Sequence, residues 1–333
     1  MSSVALICPG RGSYSERSLK SLPANHPAVQ RADSLREGYG LTPLSQLDSA
    51  SRFNHAEHLR PANAAPLIWL VSMVDATAVL ERDACVCVAG NSMGWYTALA
   101  VAGALDFDDG FRLVQEMAVL QHEQQKSEGG GQVLYPIVDE RWRRDPTRET
   151  AVAAAIASSS GAAFPSIRLG GYAVLAGTEA GVAHLLKALP KVKLGQNLYP
   201  FRLMQHGPYH TRLVAGVAAK ARERLAGLRF TAPKTTLVDG RGARFTPWST
   251  DPAELAAYTL GPQVTSPFDF TSSVRVALRE HAPARLVCPG PGNSLGGVCG
   301  QILVEEGWCG IRSREDFDRV QRSDEPILVS MRK

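Results

Sequence analysis

The run Gly90-Asn91-Ser92-Met93-Gly94 sets a serine between two glycines, after the apolar run Ala-Cys-Val-Cys-Val-Ala and before an alanine-rich stretch. Gly-x-Ser-x-Gly between a strand and a helix is a turn that holds the serine on a strained corner with its hydroxyl exposed. A helix beginning just after the serine points its backbone N–H groups and its positive end at an oxyanion. The chemistry expected of Ser92 is therefore nucleophilic attack on an acyl carbonyl, with a covalent acyl-serine as intermediate.

Such a serine needs a base, and eight histidines are available. His26, His55, His58, His122 and His281 fall in polar, loop-like or helix-surface settings, and His184 lies within a helical stretch. His206 and His210 remain, in Gln205-His206-Gly207-Pro208-Tyr209-His210-Thr211. This Gly-Pro loop follows a strand and precedes a helix, so it can present a side chain into a cleft. The residues themselves do not choose between the two.

Periodicity outlines the frame around them. Short buried strands are expected at 4–8, 84–89 and 285–288, and helices at 64–80, 95–102 and 111–125. From about residue 131 the pattern becomes strand, helix, strand, helix, strand, which suits a small inserted subdomain of the split βαβ kind. The expected organisation is α/β: a discontinuous core over 1–130 and 206–315, a subdomain over 131–205 and a carboxy-terminal tail over 316–333.

Bulk composition narrows the class. The 333 residues are 44% hydrophobic and 20% charged, enough apolar material for a sizeable core. A formal net charge of +4 gives no reason to expect nucleic acid as a partner. The six cysteines show neither zinc spacing nor a disulfide framework and read as reduced and structural. The amino terminus does not read as a signal peptide, and no stretch reads as the ~20 apolar residues that cross a bilayer. A cytoplasmic monomer without membrane association is expected, and no metal or organic cofactor, because serine and histidine suffice.

Four segments in order resemble the malonyl-CoA:acyl carrier protein transacylases and the acyltransferase domains of polyketide synthases. Cys8-Pro9-Gly10-Arg11-Gly12-Ser13 is similar to the family's Phe-Pro-Gly-Gln-Gly-Ser. Gly90-Asn91-Ser92-Met93-Gly94-Trp95-Tyr96-Thr97-Ala98-Leu99 is similar to Gly-His-Ser-Leu-Gly-Glu-Tyr-Ser-Ala-Leu. Gly103-Ala104-Leu105-Asp106-Phe107 and Val287-Cys288-Pro289-Gly290-Pro291-Gly292 follow at family positions. The resemblance implies an α/β-hydrolase-like core with a ferredoxin-like insertion. It implies His210 as the base, through Pro208-Tyr209-His210, and the backbone carbonyl of Gln263 as the group that orients it. It also implies backbone N–H groups of Met93 and Arg11 as the oxyanion site. Donor and acceptor would be coenzyme A and acyl carrier protein thioesters, used in ping-pong fashion in fatty acid or polyketide biosynthesis.

Departures from the family pattern bear on the substrate. Family members specific for malonyl groups hold the carboxylate with an arginine in a Leu-Val-x-x-Arg-Gly run, where this chain has Leu113-Val114-Gln115-Glu116-Met117-Ala118. Met117 cannot form a bidentate charge-assisted pair and suits an apolar, adaptable chain. Asn63, Asn91, Trp95 and Tyr209 also differ from the usual residues and are expected, with Met117, to shape the acyl pocket. These substitutions favour an uncharged acyl group. The alternatives are an acyl carrier protein hydrolase, a malonyltransferase that uses Arg11 for the carboxylate, and an inactive docking partner in a synthase assembly. Arg202, Arg212, Lys220, Arg222, Arg224 and the cluster Arg141-Trp142-Arg143-Arg144 are candidate contacts for an acidic carrier protein.

Overall fold

The computed structural model describes residues 2–332. Its centre is a six-stranded sheet built on β1 (Ser3–Cys8) and β2 (Ala84–Gly90), which pair in parallel. Val4 to Cys8 are fully buried, as a continuous apolar run in the middle of a parallel sheet should be. Further out lie β9 (Leu237–Val238), β10 (Arg244–Phe245), β12 (Arg285–Cys288) and β13 (Leu328–Ser330), in the order β10-β9-β2-β1-β12-β13. Among the described residues, only the β9–β10 edge pair of this sheet is antiparallel.

A second sheet, β11-β4-β5-β3-β8, comprises β3 (Gly131–Pro136), β4 (Ala163–Leu169), β5 (Tyr172–Gly177), β8 (Phe201–Arg202) and β11 (Phe268–Asp269). A short hairpin, β6 (Val192–Leu194) with β7 (Asn197–Tyr199), lies beside it. With the helices Pro146–Ala157 and Glu179–Ala188, strands β3, β4, β5 and β8 form an antiparallel βαββαβ unit. This is the ferredoxin-like arrangement. Strand β4 does not show in the sequence pattern because Pro165 interrupts it and its register with β5 shifts between Pro165 and Ile167. Strand β11 comes from outside the insertion and pairs in parallel with β4 through Phe268 and Ile167, so a segment of the core chain forms one edge of the second sheet.

Four helices matter most for the site. Helix α1 (Pro61–Leu80) opens with proline at its first position and is buried nearly all round. It is long and apolar enough to cross a membrane, with a mean hydropathy of 1.5, contrary to the sequence expectation, yet 72% of its most apolar window is packed inside the protein. Helix α2 (Gly94–Val101) follows the serine turn, and α3 (Phe107–Ser127) is capped by the Asp106 carboxylate, which accepts from the Asp109 N–H at 2.8 Å. Helix α4 (Ala215–Arg224) follows the histidine loop.

The expected carboxy-terminal tail is not a tail. Residues Arg314–Gln321 form a helix whose Phe317 is buried, and β13 adds a parallel edge strand to β12. One short apolar run, Ile327 and Leu328, suffices to seat that strand because β12 already offers a free edge.

Candidate active site

Strand β2 delivers Ser92 at φ 54°, in the left-handed region that costs an L-residue free energy unless the surroundings impose it. The surroundings do so through two close approaches. A Cβ on Gly90 would stand 2.1 Å from the Gly94 carbonyl oxygen, and one on Gly94 would stand 2.2 Å from that of Cys8. Only glycine permits β1, the turn and α2 to pack at these distances.

Ser92 Oγ lies 2.7 Å from His210 Nε2. His210 Nδ1 lies 2.8 Å from the backbone oxygen of Gln263. A carbonyl oxygen can only accept, so Nδ1 carries the hydrogen and Nε2 is left to take the serine proton. His210 is itself held at φ 60°, with its N–H donating to the Val264 oxygen at 2.8 Å. Burial pushes its imidazole down to about 4, with the bond to Gln263 opposing, so the ring is neutral near pH 7. The Gln263 side chain completes the link: Nε2 donates to the Ser92 oxygen at 3.1 Å, and Oε1 accepts from the Tyr96 hydroxyl at 3.0 Å. Thus one residue fixes both base and nucleophile.

Met93 is the N-cap of α2, and neither its N–H nor that of Arg11 has a backbone partner among the described residues. Both residues line the cavity that contains Ser92.

No family model matches the chain. A malonyl CoA-acyl carrier protein transacylase of Salmonella typhimurium is 26% identical over 311 residues, 91% of this chain and 94% of that protein. An acyl-carrier-protein S-malonyltransferase of Burkholderia pseudomallei has a TM-score of 0.73 at 25% identity, covering 90% of this chain and 93% of that one. A malonyl-transacylase solved in complex with a type II polyketide synthase acyl carrier protein has a TM-score of 0.74 at 22% identity, covering 100% and 96%. Over about nine-tenths of its length the chain is thus similar to malonyl CoA-acyl carrier protein transacylases.

Ser92 opens into a cavity of about 290 Å³. Asn91, Met117 and Tyr209 line it as expected from the sequence. Two residues expected there do not. Asn63 is buried behind the cavity wall, where its Oδ1 accepts from Arg36 and its Nδ2 donates to the Glu57 oxygen at 2.9 Å. Arg36 also donates to Gln115 Oε1 at 2.6 Å and the Ala62 oxygen at 2.8 Å, so Asn63 belongs to the brace between α1 and α3. Trp95 is fully buried on the far side of α2, its indole N–H donating to Thr259 Oγ1 at 3.0 Å and its rings against Tyr258 and Phe245.

The sequence reading missed part of the wall. The insertion contributes Gln132, Leu134, Ile167, Leu169 and Val174, and the loop after β12 contributes Ser294 and Leu295. Their alternation along strands marks them as inward-facing, but nothing in sequence says which sheet face meets the serine. His206, the rejected base, also lines the cavity. Its Nδ1 lies 2.8 Å from the Met204 oxygen, and burial together with the nearby Arg11 pushes it down to about 3.

Most of the candidate carrier-protein contacts are engaged internally. Arg202 pairs with Glu179, Arg224 with Glu116 and Glu123, Arg143 with Asp139, and Arg144 with Glu149 and Glu305. Arg222 donates to the Leu260 oxygen at 3.2 Å, Arg212 lies over the Phe164 ring, and Trp142 packs on Phe317. Lys220 and Arg141 form no ion pair among the described residues.

Proposed function

We propose that the protein transfers an acyl group from a thioester of coenzyme A or of an acyl carrier protein to an acyl carrier protein thiol, through an acyl ester on Ser92. The observation that carries this reading is the relay from Ser92 Oγ through His210 to the Gln263 carbonyl, set at the floor of a mainly apolar cavity. The names of the relatives supply the thioester and the carrier protein: the Salmonella protein is a malonyl CoA-acyl carrier protein transacylase. The intact relay also counts against an idle docking partner.

In the first half-reaction His210 Nε2 takes the Ser92 proton as Oγ bonds to the thioester carbon. The oxyanion rests on the Met93 and Arg11 N–H groups. The C–S bond then breaks and the leaving thiolate takes the proton from His210. The second half-reaction reverses this with the carrier thiol, whose proton passes to His210 and then back to Ser92 Oγ as the ester breaks. A depressed imidazole suits this work, because the base form is present throughout the neutral range.

Met117 in the cavity wall supports an uncharged acyl group only where no other cation reaches the same space, and Arg11 does reach it. The test of the general reading is acylation of the purified chain with acetyl-, hexanoyl- and malonyl-coenzyme A, with the modified peptide located by mass spectrometry. Acyl-Ser92 is expected, and it should discharge onto added carrier protein faster than it releases free acid. Faster free-acid release would make the protein a hydrolase, and no adduct from any donor would remove the acyl-serine reading.

A further inference from the structure

The second sheet breaks its regular pairing at Ser166. Where β4 pairs with β5, Pro165 stands opposite Leu175 and Ile167 opposite Val174, so no residue of β5 faces Ser166. An extra residue of this kind is a β-bulge, which bends the strand and re-aims a side chain. The Ser166 side chain is buried. Its hydroxyl donates to the backbone oxygen of Tyr209 at 2.9 Å and accepts from Gln132 Nε2 at 2.8 Å. Because Gln132 supplies one hydrogen, the serine's own hydrogen is left for Tyr209. No other donor meets the Tyr209 oxygen among the described residues.

That oxygen and the His210 N–H belong to one peptide unit, which is planar and stiff. Its two ends are held by different parts of the chain. The N–H donates to the Val264 oxygen at 2.8 Å, in the core, and the oxygen accepts from Ser166, in the insertion. The tilt of this plane sets φ at His210, which is 60°. A residue other than glycine keeps such a value only where its surroundings impose it. Relaxation about φ would swing the imidazole away from Ser92. The bulge also reaches the ring itself. Ile167, beside Ser166, pairs with Phe268, whose ring packs on the His210 ring with centroids 5.3 Å apart. An unbulged strand would set Ser166 opposite Val174 and turn Ile167 to the other face, so the two contacts depend on the same extra residue.

We propose that Ser166 is a positioning residue for His210, through which the bulge of the insertion holds the base at hydrogen-bonding distance from Ser92. It rests on the acyl-Ser92 reading. Ser166 touches none of the reacting groups and acts through the Tyr209–His210 peptide alone. The insertion then does two things: it walls the cavity with Leu134, Leu169 and Val174, and it sets the base that works there.

The test is the single-turnover rate of Ser92 acylation, with whichever of acetyl-, hexanoyl- and malonyl-coenzyme A loads the parent fastest. Ser166→Ala should lower it on the order of 10-fold. Ser166→Thr, which keeps the hydroxyl, should lower it by less than about 3-fold. Melting curves correct each rate for folded protein. Two further readouts separate positioning from packing. Calorimetric binding of the same donor to Ser92→Ala should be equal with and without Ser166→Ala. The acid limb of the acylation rate should move up from about 4 toward 6.5, because a loosened imidazole meets water and regains its charged form more easily. A parental rate in Ser166→Ala, a loss explained wholly by weaker donor binding, or Ser166→Thr as slow as Ser166→Ala overturns the proposal and leaves acyl-Ser92 standing. If no donor loads Ser92, the acyl-serine reading fails, and an NMR titration of isotope-labelled histidines, assigned with His210→Gln, decides the positioning role. An upward shift of the His210 midpoint in Ser166→Ala keeps that role, and an unmoved midpoint removes it.

Discussion

His210 owes its usefulness to what Gln263 does with backbone and side chain together. The carbonyl fixes the tautomer, and the amide holds the serine's own backbone oxygen, so base and nucleophile share one support. This arrangement makes a pH prediction with a definite sign. Burial lowers the imidazole to about 4, so its neutral, proton-accepting form persists well below the ordinary histidine range. The rate constant for Ser92 acylation in the free enzyme should therefore stay level from pH 8 down to about 5 and fall on further acidification. Single-turnover kinetics across pH would measure it, and a midpoint near 6.5 would show that His210 is solvated rather than buried. The nucleophile was legible because its chemistry is written in five consecutive residues. The base was legible only to within His206 and His210, since the loop brings both to the cavity and the decision lies in which one reaches Ser92. Asn63 and Trp95 were misplaced for a related reason: both depart from the family pattern, but helix geometry turns Trp95 to the far face of α2, where it meets Thr259, and Arg36 draws Asn63 into a brace.

The elements around the elbow show why a short motif can specify so much. Strand β1, the turn and the start of α2 meet at backbone-to-backbone distance, and glycine is required because no side chain fits. Gly94→Ala would push its new Cβ toward the Cys8 oxygen, so either β1 or the turn must move. The expected cost is about 1–3 kcal/mol or more of stability, measured by urea unfolding, with loss of acylation greater than the loss of folded protein. A variant as stable and as active as the parent would mean that the elbow is not packed this tightly. Elements with strong periodicity were legible in the same way. Strands β1, β2 and β12 fall near their expected limits, whereas β4, interrupted by Pro165, and the two-residue strands β10 and β11 carry too little pattern to be read. It is β11 that brings a segment of the core chain to the edge of the second sheet, so the shape of the cavity was beyond the reach of local pattern.

Across the whole molecule, the carboxy-terminal segment turns out to support the site from behind. Arg332 reaches α1 and makes a bidentate pair with Asp75, with Nη2 to Oδ1 at 2.7 Å and Nε to Oδ2 at 2.9 Å. Asp75 is buried, and its Oδ2 also accepts from the Gly290 N–H at 3.0 Å. Gly290 begins the loop that ends in Ser294 and Leu295 on the cavity wall. Chain end, core helix and site loop are thus fastened at a single carboxylate. Replacing the guanidinium by Arg332→Met keeps the apolar stem and leaves Asp75 with one donor and an uncompensated charge. The expected loss is about 1–3 kcal/mol in unfolding free energy, because charge-assisted bonds at a buried carboxylate are stronger than those at the surface. Because Asp75 also holds the loop, acyl-Ser92 formation should slow beyond what the lost stability explains, and hydrogen exchange should rise in residues 289–295. Unchanged exchange in that loop would confine Arg332 to anchoring β13, and unchanged stability would place the pair among surface ion pairs of little consequence.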